Sequence, residues 1–563
     1  GQQFQKLYLA RGYQSSVPNV LHFGLGGEEN IESITVQWPD GKVSTLDAPK
    51  ANELIEVDYA SAVQGTPSAV GATKKAQIDP ASLGIDYVHT ENEFNDYSLQ
   101  LLIPQKQSTK GTGMISADVN GDGLDDFFVG NAKDATAALY LQNNKGGFSK
   151  SNESLWKKEA RFEDANALFF DSDGDGDQDL YVVSAGYDLP KNSPLLQDRL
   201  YINDGRGNFS KNSGALPSML TSGKSVVAGD YDQDGDLDLF VGGNVIPAEY
   251  PKSPKSYLLK NENGKFTDVT AANSSLSEIG MVSEVLFTDY DGDKDLDLLA
   301  VGEWMKPTLF NNNKGVFAKA ENISGLTKTE GWWFSATSGD FDGDGDEDYI
   351  FGNVGKNNKF QPKKDKPIFI YGKDFDDNGS YDVALSKLND GKLVPVRGKE
   401  CSSEQNPYLL DKIATYKEFA NLEMKDIYGE DRLKDAFQLT AYMFETVYVE
   451  NQGNGTFKVT KLPNEAQTGP TLSLTAADVN KDGHLDIMGV GAIYDAEVET
   501  IRYDSNYGYV LLGDGKGGFT PSKDFDPFVD SDAKDLLAIK VNGNDYYMVV
   551  SNNAPLHVFT FNP

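Results

Sequence analysis

Short apolar runs recur along most of the chain, each bounded by Gly, Asn, Asp or Ser. Examples are ALFF (167–170), LYVVSAG (180–186), LFVGG (239–243), EVLF (284–287), YIFGN (349–353) and IFIY (368–371). Runs this short, with turn residues at both ends, predict buried β-strands. A polar nonapeptide joins the first strand of each pair to the second. Beyond the pair comes another apolar run, an Asn/Gly turn and a Phe: LYLQNNKGGF (139–148), LYINDGRGNF (200–209), YLLKNENGKF (257–266), LFNNNKGVF (309–317), VYVENQGNGTF (447–457) and VLLGDGKGGF (510–519). These are β-hairpins with Gly where the backbone needs positive φ. A loop-joined pair followed by a hairpin makes four antiparallel strands, the unit of a propeller blade.

The nonapeptide carries the chemistry. Acidic or amide residues stand at positions 1, 3, 5 and 9, with Gly usual at position 6. The seven copies, given as positions 1, 3, 5, 7 and 9, begin with Asp118, Asn120, Asp122, Leu124 and Asp126, then Asp171, Asp173, Asp175, Asp177 and Asp179. Next come Asp230, Asp232, Asp234, Asp236 and Asp238, then Asp289, Asp291, Asp293, Asp295 and Asp297, then Asp340, Asp342, Asp344, Asp346 and Asp348. The last two are Asp374, Asp376, Asn378, Ser380 and Asp382, and Asp478, Asn480, Asp482, His484 and Asp486.

Calcium is a hard cation that takes six to eight oxygens. Side chains at 1, 3, 5 and 9 and a backbone carbonyl at 7 supply such a shell from one loop. The residues at position 7 share no side-chain chemistry, which suits a carbonyl ligand. Gly at position 6 permits the positive φ of a tight bend; Lys294 departs from it, so strain is expected in the loop at Asp289. An EF-hand opens the same way but needs Glu at position 12 and flanking helices. Position 12 here is apolar or Gly (Val129, Val182, Val241, Ala300, Phe351, Leu385, Gly489) and belongs to the following strand. Solvated acidic turns are the plain alternative, but the seven loops gather about a third of the 86 acidic side chains, and five carboxylates in nine residues repel one another without a cation. Up to seven calcium ions are therefore expected.

Repeat spacing orders the chain. Blades start at Asp118, Asp171, Asp230, Asp289, Asp340 and Asp478, and LLAIKVNGNDYYMVVSNN with LHVFTF (536–561) makes a seventh without a loop. Three strands are visible in that last blade, so IDYVH (85–89) is expected to complete it and close the ring. The interval from Asp340 to Phe457 is far longer than the others and contains the Asp374 loop, which predicts an insertion of about 354–440 in blade 5. Residues 407–444 read as two amphipathic helices. The fold expected is all-β: a seven-bladed β-propeller over 85–563 with a helical insertion, preceded by a small β domain (1–60) and an Ala/Ser/Gly/Pro-rich linker (61–84).

Charge and composition narrow the function. The 563 residues carry 51 basic and 86 acidic side chains, a formal charge of −35, which disfavours nucleic acid and anionic lipid as partners. One Cys and four scattered His exclude a disulfide framework and leave little for histidine chemistry. No apolar run is long enough to span a bilayer. The chain begins Gly-Gln-Gln-Phe with no Met or leader, which reads either as a cytoplasmic protein or as a processed or truncated piece of an exported one, and millimolar external calcium at the loops favours the exported reading.

The aspartate loops resemble the FG-GAP/VCBS repeats of integrin-α-type propellers. GYQSSVPNVLHFGLGG (12–27) followed by ITVQWPDGKVSTL (34–46) resembles the ASPIC/UnbV domain. In long exported proteins of Bacteroidota-type bacteria that module sits between two such propellers, so the resemblance implies the C-terminal part of a longer precursor. HTENEFNDY (89–97), GEWMKP (302–307), GNVGKNN (352–358) and AQTGP (466–470) are similar to its non-repeat signatures. The resemblance implies no catalytic residue.

In a blade the metal loop joins the two inner strands at one face, so segments entering the first strand and leaving the second lie on the opposite face. Those segments carry Tyr187 and Asp188, Glu303 and Trp304, Trp332 and Trp333, Asn353, Gln467, and Tyr494 with Asp495. Loops on a rigid scaffold commonly bind, so this face is expected to receive a glycan or a protein partner; the bland reading is that the Trp residues plug the axial channel. Three functions remain open: a calcium-stabilised extracellular or cell-surface binding scaffold, a subunit of an outer-membrane assembly, and a calcium-dependent polysaccharide lyase or hydrolase. No GxSxG, HExxH or Cys–His constellation supports the last. His89 and Glu91 are expected to make structural hydrogen bonds.

Overall fold

The computed structural model describes residues 3–7, 15–63, 77–321, 323–522, 524–525 and 527–561. The chain divides into two compact units, 1–73 and 74–563. Most of the expected linker, residues 64–76, lies outside the described residues; its remainder from 77 onward belongs to the second unit.

The first unit is built on an antiparallel hairpin, Ser33–Gln37 with Val43–Asp47. The turn between them is fixed by the WPDG sequence: Gly41 donates to Trp38 O at 2.9 Å with φ of +84°, a conformation that favours glycine. The Trp38 ring meets Tyr59 edge-on at 5.2 Å, and its indole N–H donates to Ser44 Oγ at 3.0 Å.

The second unit is a β-propeller. Among the described residues seven four-strand paths follow one another, each with its strands in simple antiparallel order. Their innermost strands are Met114–Ala117, Glu163–Phe170, Gly223–Gly229, Met281–Thr288, Ser335–Gly339, Ser473–Ala477 and Asp532–Val541. Each touches the next, and the last touches the first, so the sheets form a closed ring. Because every sheet is sandwiched between two others, second strands such as Asp126–Val129 and Asp297–Met305 are buried on both faces. That is why they read as continuous apolar runs rather than as alternation. The core is accordingly a circle of interfaces: Phe128, Leu139, Leu180 and Tyr201 fill one, Tyr231, Phe240, Leu258 and Leu298 another.

Two expectations about strands are corrected. The outermost strand of the closing sheet is Gln77–Ile78, paired with His557–Phe559, not 85–89. Residues 85–89 run on to the face of the ring, where Val88 makes only an isolated bridge to Pro555. Ile85 and Tyr87 are instead buried in the interface between the closing and first sheets. The insertion is not chiefly helical. It has its own four-stranded sheet, with Ile368–Lys373 paired to Asp382–Asn389 and to Phe437–Ala441, and Lys392–Pro395 at one edge. In place of two long helices stand five short ones between Lys399 and Lys434, broken at Asn406, Ile413, Leu422 and Gly429. Their apolar spacing is met by turns of helix packed on Tyr371 and Phe375, because no single stretch is long enough to hold a helix alone.

Adjacent sheets are stapled by one repeated amide, at the start of the hairpin turn. Asn203 Nδ2 donates to Val119 O of the preceding sheet's loop at 2.7 Å, Asn261 to Ser172 O at 2.8 Å, Asn312 to Tyr231 O at 2.8 Å and Asn451 to Tyr290 O at 2.9 Å. Gln142 does the same across the closure, donating to Lys540 O at 2.9 Å. Asn312→Ala would leave the buried carbonyls of Tyr231 and Leu296 unpaired, and is expected to cost about 2–4 kcal/mol, read as a lower denaturation midpoint; the exposed Glu262→Ala should leave that midpoint in place.

Candidate metal centres

The seven nonapeptides stand where the repeat spacing puts them. Six join the first and second strands of propeller sheets; the one at Asp374 joins the first two strands of the insertion sheet. Each is folded by its own first residue. Asp118 accepts backbone N–H groups from Gly121, Asp122 and Gly123, Asp171 from Gly174 and Gly176, and Asp340 from Gly343 and Gly345. Asp230, Asp289, Asp374 and Asp478 are held in the same way by N–H groups four or five residues on.

Position 7 acts through its backbone in every copy. The N–H of Leu124, Asp177, Asp236, Asp295, Asp346, Ser380 and His484 donates to the side chain at position 5, that is Asp122, Asp175, Asp234, Asp293, Asp344, Asn378 and Asp482. Position 6 is left-handed throughout, including Lys294 at φ +73°. Position 4 is left-handed as well, at Gly121, Gly174, Gln233, Gly292, Gly343, Asp377 and Lys481. That second bend went unread because Gly occupies only four of its seven copies.

Position 9 faces inward. Asp126, Asp238, Asp297, Asp348 and Asp486 have no exposed surface, and Asp179 and Asp382 almost none. One oxygen of each propeller copy accepts from the third strand: Gln142 N to Asp126, Asn203 N to Asp179, Asn261 N to Asp238, Asn312 N to Asp297, Asn451 N to Asp348 and Gly513 N to Asp486, all at 2.7–2.9 Å. Burial, followed in most cases by repulsion from the loop's other acids, pushes Asp126, Asp238, Asp297 and Asp382 up to about 7 and Asp348 up to about 6.

Five loops bring at least three carboxylates to one point. Oxygens of Asp289, Asp291, Asp293 and Asp297 lie within 4.8 Å of one another, as do those of Asp171, Asp173 and Asp175, of Asp230, Asp232 and Asp234, of Asp340, Asp342 and Asp344, and of Asp374, Asp376 and Asp382. The loops at Asp118 and Asp478 substitute Asn120 and Asn480 for one carboxylate each. The arrangement leaves buried acceptors with nothing to accept: Asp173 Oδ1, Asp177 Oδ1, Asp232 Oδ1, Asp238 Oδ2, Asp289 Oδ1 and Asp297 Oδ2 have no hydrogen-bond partner. An orphaned carboxylate oxygen is costly, and several around one point fit a hard divalent cation. In the loop at Asp230 the chain's own Lys260 ammonium already bridges Asp232 and Asp234, the latter at 2.9 Å.

The expected ligand face has another construction. Tyr187, Glu303, Trp304, Trp332, Trp333, Asn353 and Gln467 are at most 5 % exposed and so present no surface to a ligand. Trp332 packs against Trp304 at 5.3 Å, Phe444 at 4.8 Å and Phe360 at 5.7 Å, gathering the insertion and the segment around Leu102 into one apolar cluster. Trp304 Nε1 donates to Tyr250 Oη at 2.6 Å, and Glu303 holds Lys110 at 2.7 Å. Asn353 and Gln467 both bond Thr446, fixing the chain where it returns from the insertion. Tyr494 is half-buried beneath Arg502, Asp188 is paired with Lys133 at 2.8 Å and Asp495 with Lys106 at 3.5 Å. These residues cement the face rather than line it.

Family comparisons agree with the geometry over the first domain and five of the propeller loops. The family described as ASPIC and UnbV matches residues 1–64, and FG-GAP-like repeat matches 118–182, 171–241 and 289–351. This chain carries an ASPIC/UnbV domain and FG-GAP-like repeats. No curated protein matches it. Among solved structures, this chain is similar to the V. cholerae biofilm matrix protein Bap1, at 11 % identity and TM-score 0.32 over 87 % of this chain and 91 % of that one. It is also similar to YCF48 from Cyanidioschyzon merolae, at 9 % identity and TM-score 0.37 over 80 % and 95 %, and to Saccharomyces cerevisiae Sqt1, at 10 % and 0.37 over 80 % and 98 %.

Two outcomes follow for the FG-GAP loops. Lys294→Gly should raise stability by about 1 kcal/mol, since only glycine takes this φ without penalty; an unchanged melting temperature would show that the loop bears no strain. Stripped of divalent cations, the protein should become more stable as pH falls from about 7 towards 5.5. The folded-state values of the position-9 acids stand above the ordinary carboxylate value, so their contribution is complete in acid and lost as pH rises through about 6–7. Thermal melts across that window in chelator check the sign.

Proposed function

We propose that this protein is an exported interaction scaffold, stapled by calcium at one face of its propeller and binding a protein partner at the other. One observation carries the choice of face. Among the described residues of the second unit, the exposed large apolar side chains fall on the segments opposite the loops or on the insertion that leaves from them, Val316 excepted. Val498 is 95 % and Ile501 73 % exposed, and beside them in sequence Tyr507 stacks on Phe528 at 5.0 Å with both rings in solvent. Exposed apolar surface of this kind marks protein association. A protein partner is favoured over a glycan because the tryptophans expected to stack on sugar are buried.

Calcium fits the loops by ligand number and type, and millimolar external calcium fits sites open to solvent at one rim. No described helix is long and apolar enough to cross a membrane.

Calcium removal should lower the melting temperature by many degrees at neutral pH, each occupied site contributing about 2.7 kcal/mol at a hundredfold excess over its dissociation constant; an unchanged melt in EDTA contradicts the calcium part. The recognition part is checked by comparing proteins co-purified by the native chain and by a Val498→Asp/Ile501→Asp variant. Loss of a stoichiometric partner with an unchanged melt is the expected result; retention of every partner refutes the face.

A further inference from the structure

Residues 89–112 cross the face opposite the loops before entering the first sheet at Met114. Beneath them lies a polar cluster that neither the metal loops nor the apolar patch uses. Glu91 Oε1, Asn92 Oδ1, Glu163 Oε2 and Asp188 Oδ1 are each buried without a hydrogen-bond partner. Glu163 is 8 % exposed at the start of the second sheet's first strand, and Asp188 lies just beyond the end of that sheet's second strand. Asn92 Nδ2 donates to Asp188 Oδ2 at 3.2 Å, which leaves the amide oxygen as the free end. Negative charge on Glu91 and Asp188 acts on Glu163 and, after burial, helps hold its carboxyl well above the ordinary range.

These four orphans are all acceptors. Leaving one such group buried costs about 1–3 kcal/mol, and more when it is charged, so the missing component is a donor. A single metal ion fits poorly: among the described residues, groups of three or more acids with oxygens within 4.8 Å of each other occur only in the loops. A group whose N–H donors radiate outward can reach acceptors set further apart. The protein itself sets an ammonium at the cluster's edge, Lys133 Nζ, 2.8 Å from Asp188.

We propose that this cluster is a second binding site, for an ammonium- or guanidinium-bearing ligand, with Glu91 and Glu163 receiving the cation and Asn92 and Asp188 orienting it. Glu91 and Asn92 are only half-buried and Thr90 and Glu93 are exposed, so entry is from the outer edge of the crossing segment, with the Asp188 carboxylate buried behind it. A free amine and a basic side chain of a docked protein present the same group.

The test is calorimetric titration of the calcium-saturated full chain with agmatine, with an arginine-containing hexapeptide amide, and with N-acetylglucosamine as a neutral control. Saturable binding of agmatine or peptide is expected, with none for the control, and at least about tenfold weaker binding by Glu163→Gln and by Glu91→Gln. Preference for agmatine identifies a small-molecule site, and preference for peptide identifies a partner's side chain. Glu163→Gln should melt no lower than the native chain, since it replaces a carboxyl whose charged form burial already disfavours with a neutral amide of the same shape; Glu91→Gln carries the same test where the first variant folds poorly. Absence of saturable cation binding, or equal binding by both variants, overturns the proposal and leaves the two glutamates as protonated structural groups. Neither result bears on the Val498/Ile501 surface, whose variants leave this cluster intact.

Discussion

The propeller depends on one buried carboxylate repeated around the ring. The aspartate at position 9 of each propeller loop closes its own sheet by accepting the third strand's backbone N–H, and the residue that donates is, in four sheets, the same Asn whose side chain bonds the neighbouring sheet's loop. Loop, sheet and neighbour therefore meet at one point. Burial disfavours the charged form of this carboxyl when no cation is present, and at Asp238 and Asp297 the second oxygen has no hydrogen-bond partner, which is where a cation is wanted. Metal and ring closure are thus aspects of one electrostatic problem: six acidic bends on one rim of an acidic protein.

Variation around the ring follows from the same arrangement. Where the third strand offers Gly513 in place of Asn, the staple to the preceding loop is made by a backbone group instead, Gly517 N to Phe341 O at 3.1 Å. Where the neighbour is the loopless closing sheet, Gln142 reaches further and meets Lys540 O and Asn542 N. A side chain one methylene longer spans a junction that has no metal loop on its far side. The insertion loop at Asp374 has the carboxylates without the ring. Asp382 accepts from Phe375 N at 2.9 Å, and Arg432 is paired with Asp377 at 2.7 Å and reaches Phe375 O, so a guanidinium stands where a neighbouring sheet would be.

Much of this was legible in the sequence, because the repeat supplies its own register. Asp at fixed spacing, an apolar run on each side and a Gly-rich hairpin after it place strands and loops without reference to tertiary structure. What was not legible depends on long-range competition. IDYVH has strand composition, yet Gln77–Ile78 takes the outer edge of the closing sheet, and Ile85 and Tyr87 bury themselves between sheets instead. Residues 407–444 have helical spacing, yet the helices are short and Phe437–Ala441 pairs as a strand because an edge of the insertion sheet is available to it. Trp304, Trp332 and Trp333 sit on segments assigned to the right face, but sequence cannot say whether a side chain on a surface segment points outward. Here the insertion and the crossing segment cover Trp304 and Trp332, and Trp333 is buried between the fourth and fifth sheets of the ring.

That covering separates two tasks. The loop face carries repeated acids whose geometry is fixed by backbone turns, so it tolerates little change and suits a constant ion. On the other face, Trp304, Trp332 and Phe360 form an apolar floor on which the segment at 97–110 and the insertion are laid, and residues outside that floor are free to differ without disturbing the ring. Ionisable groups there are paired with the chain's own cations, as Glu303 with Lys110, Asp164 with Arg199 and Glu497 with Lys359 and Arg397, rather than with a shared ion. Stability is thereby concentrated at one rim, and the opposite face can carry a recognition surface whose composition the repeats do not dictate. The unpaired oxygens of Glu91 and Glu163 have no such partner, and for that reason they mark a place where the molecule is completed by something outside itself.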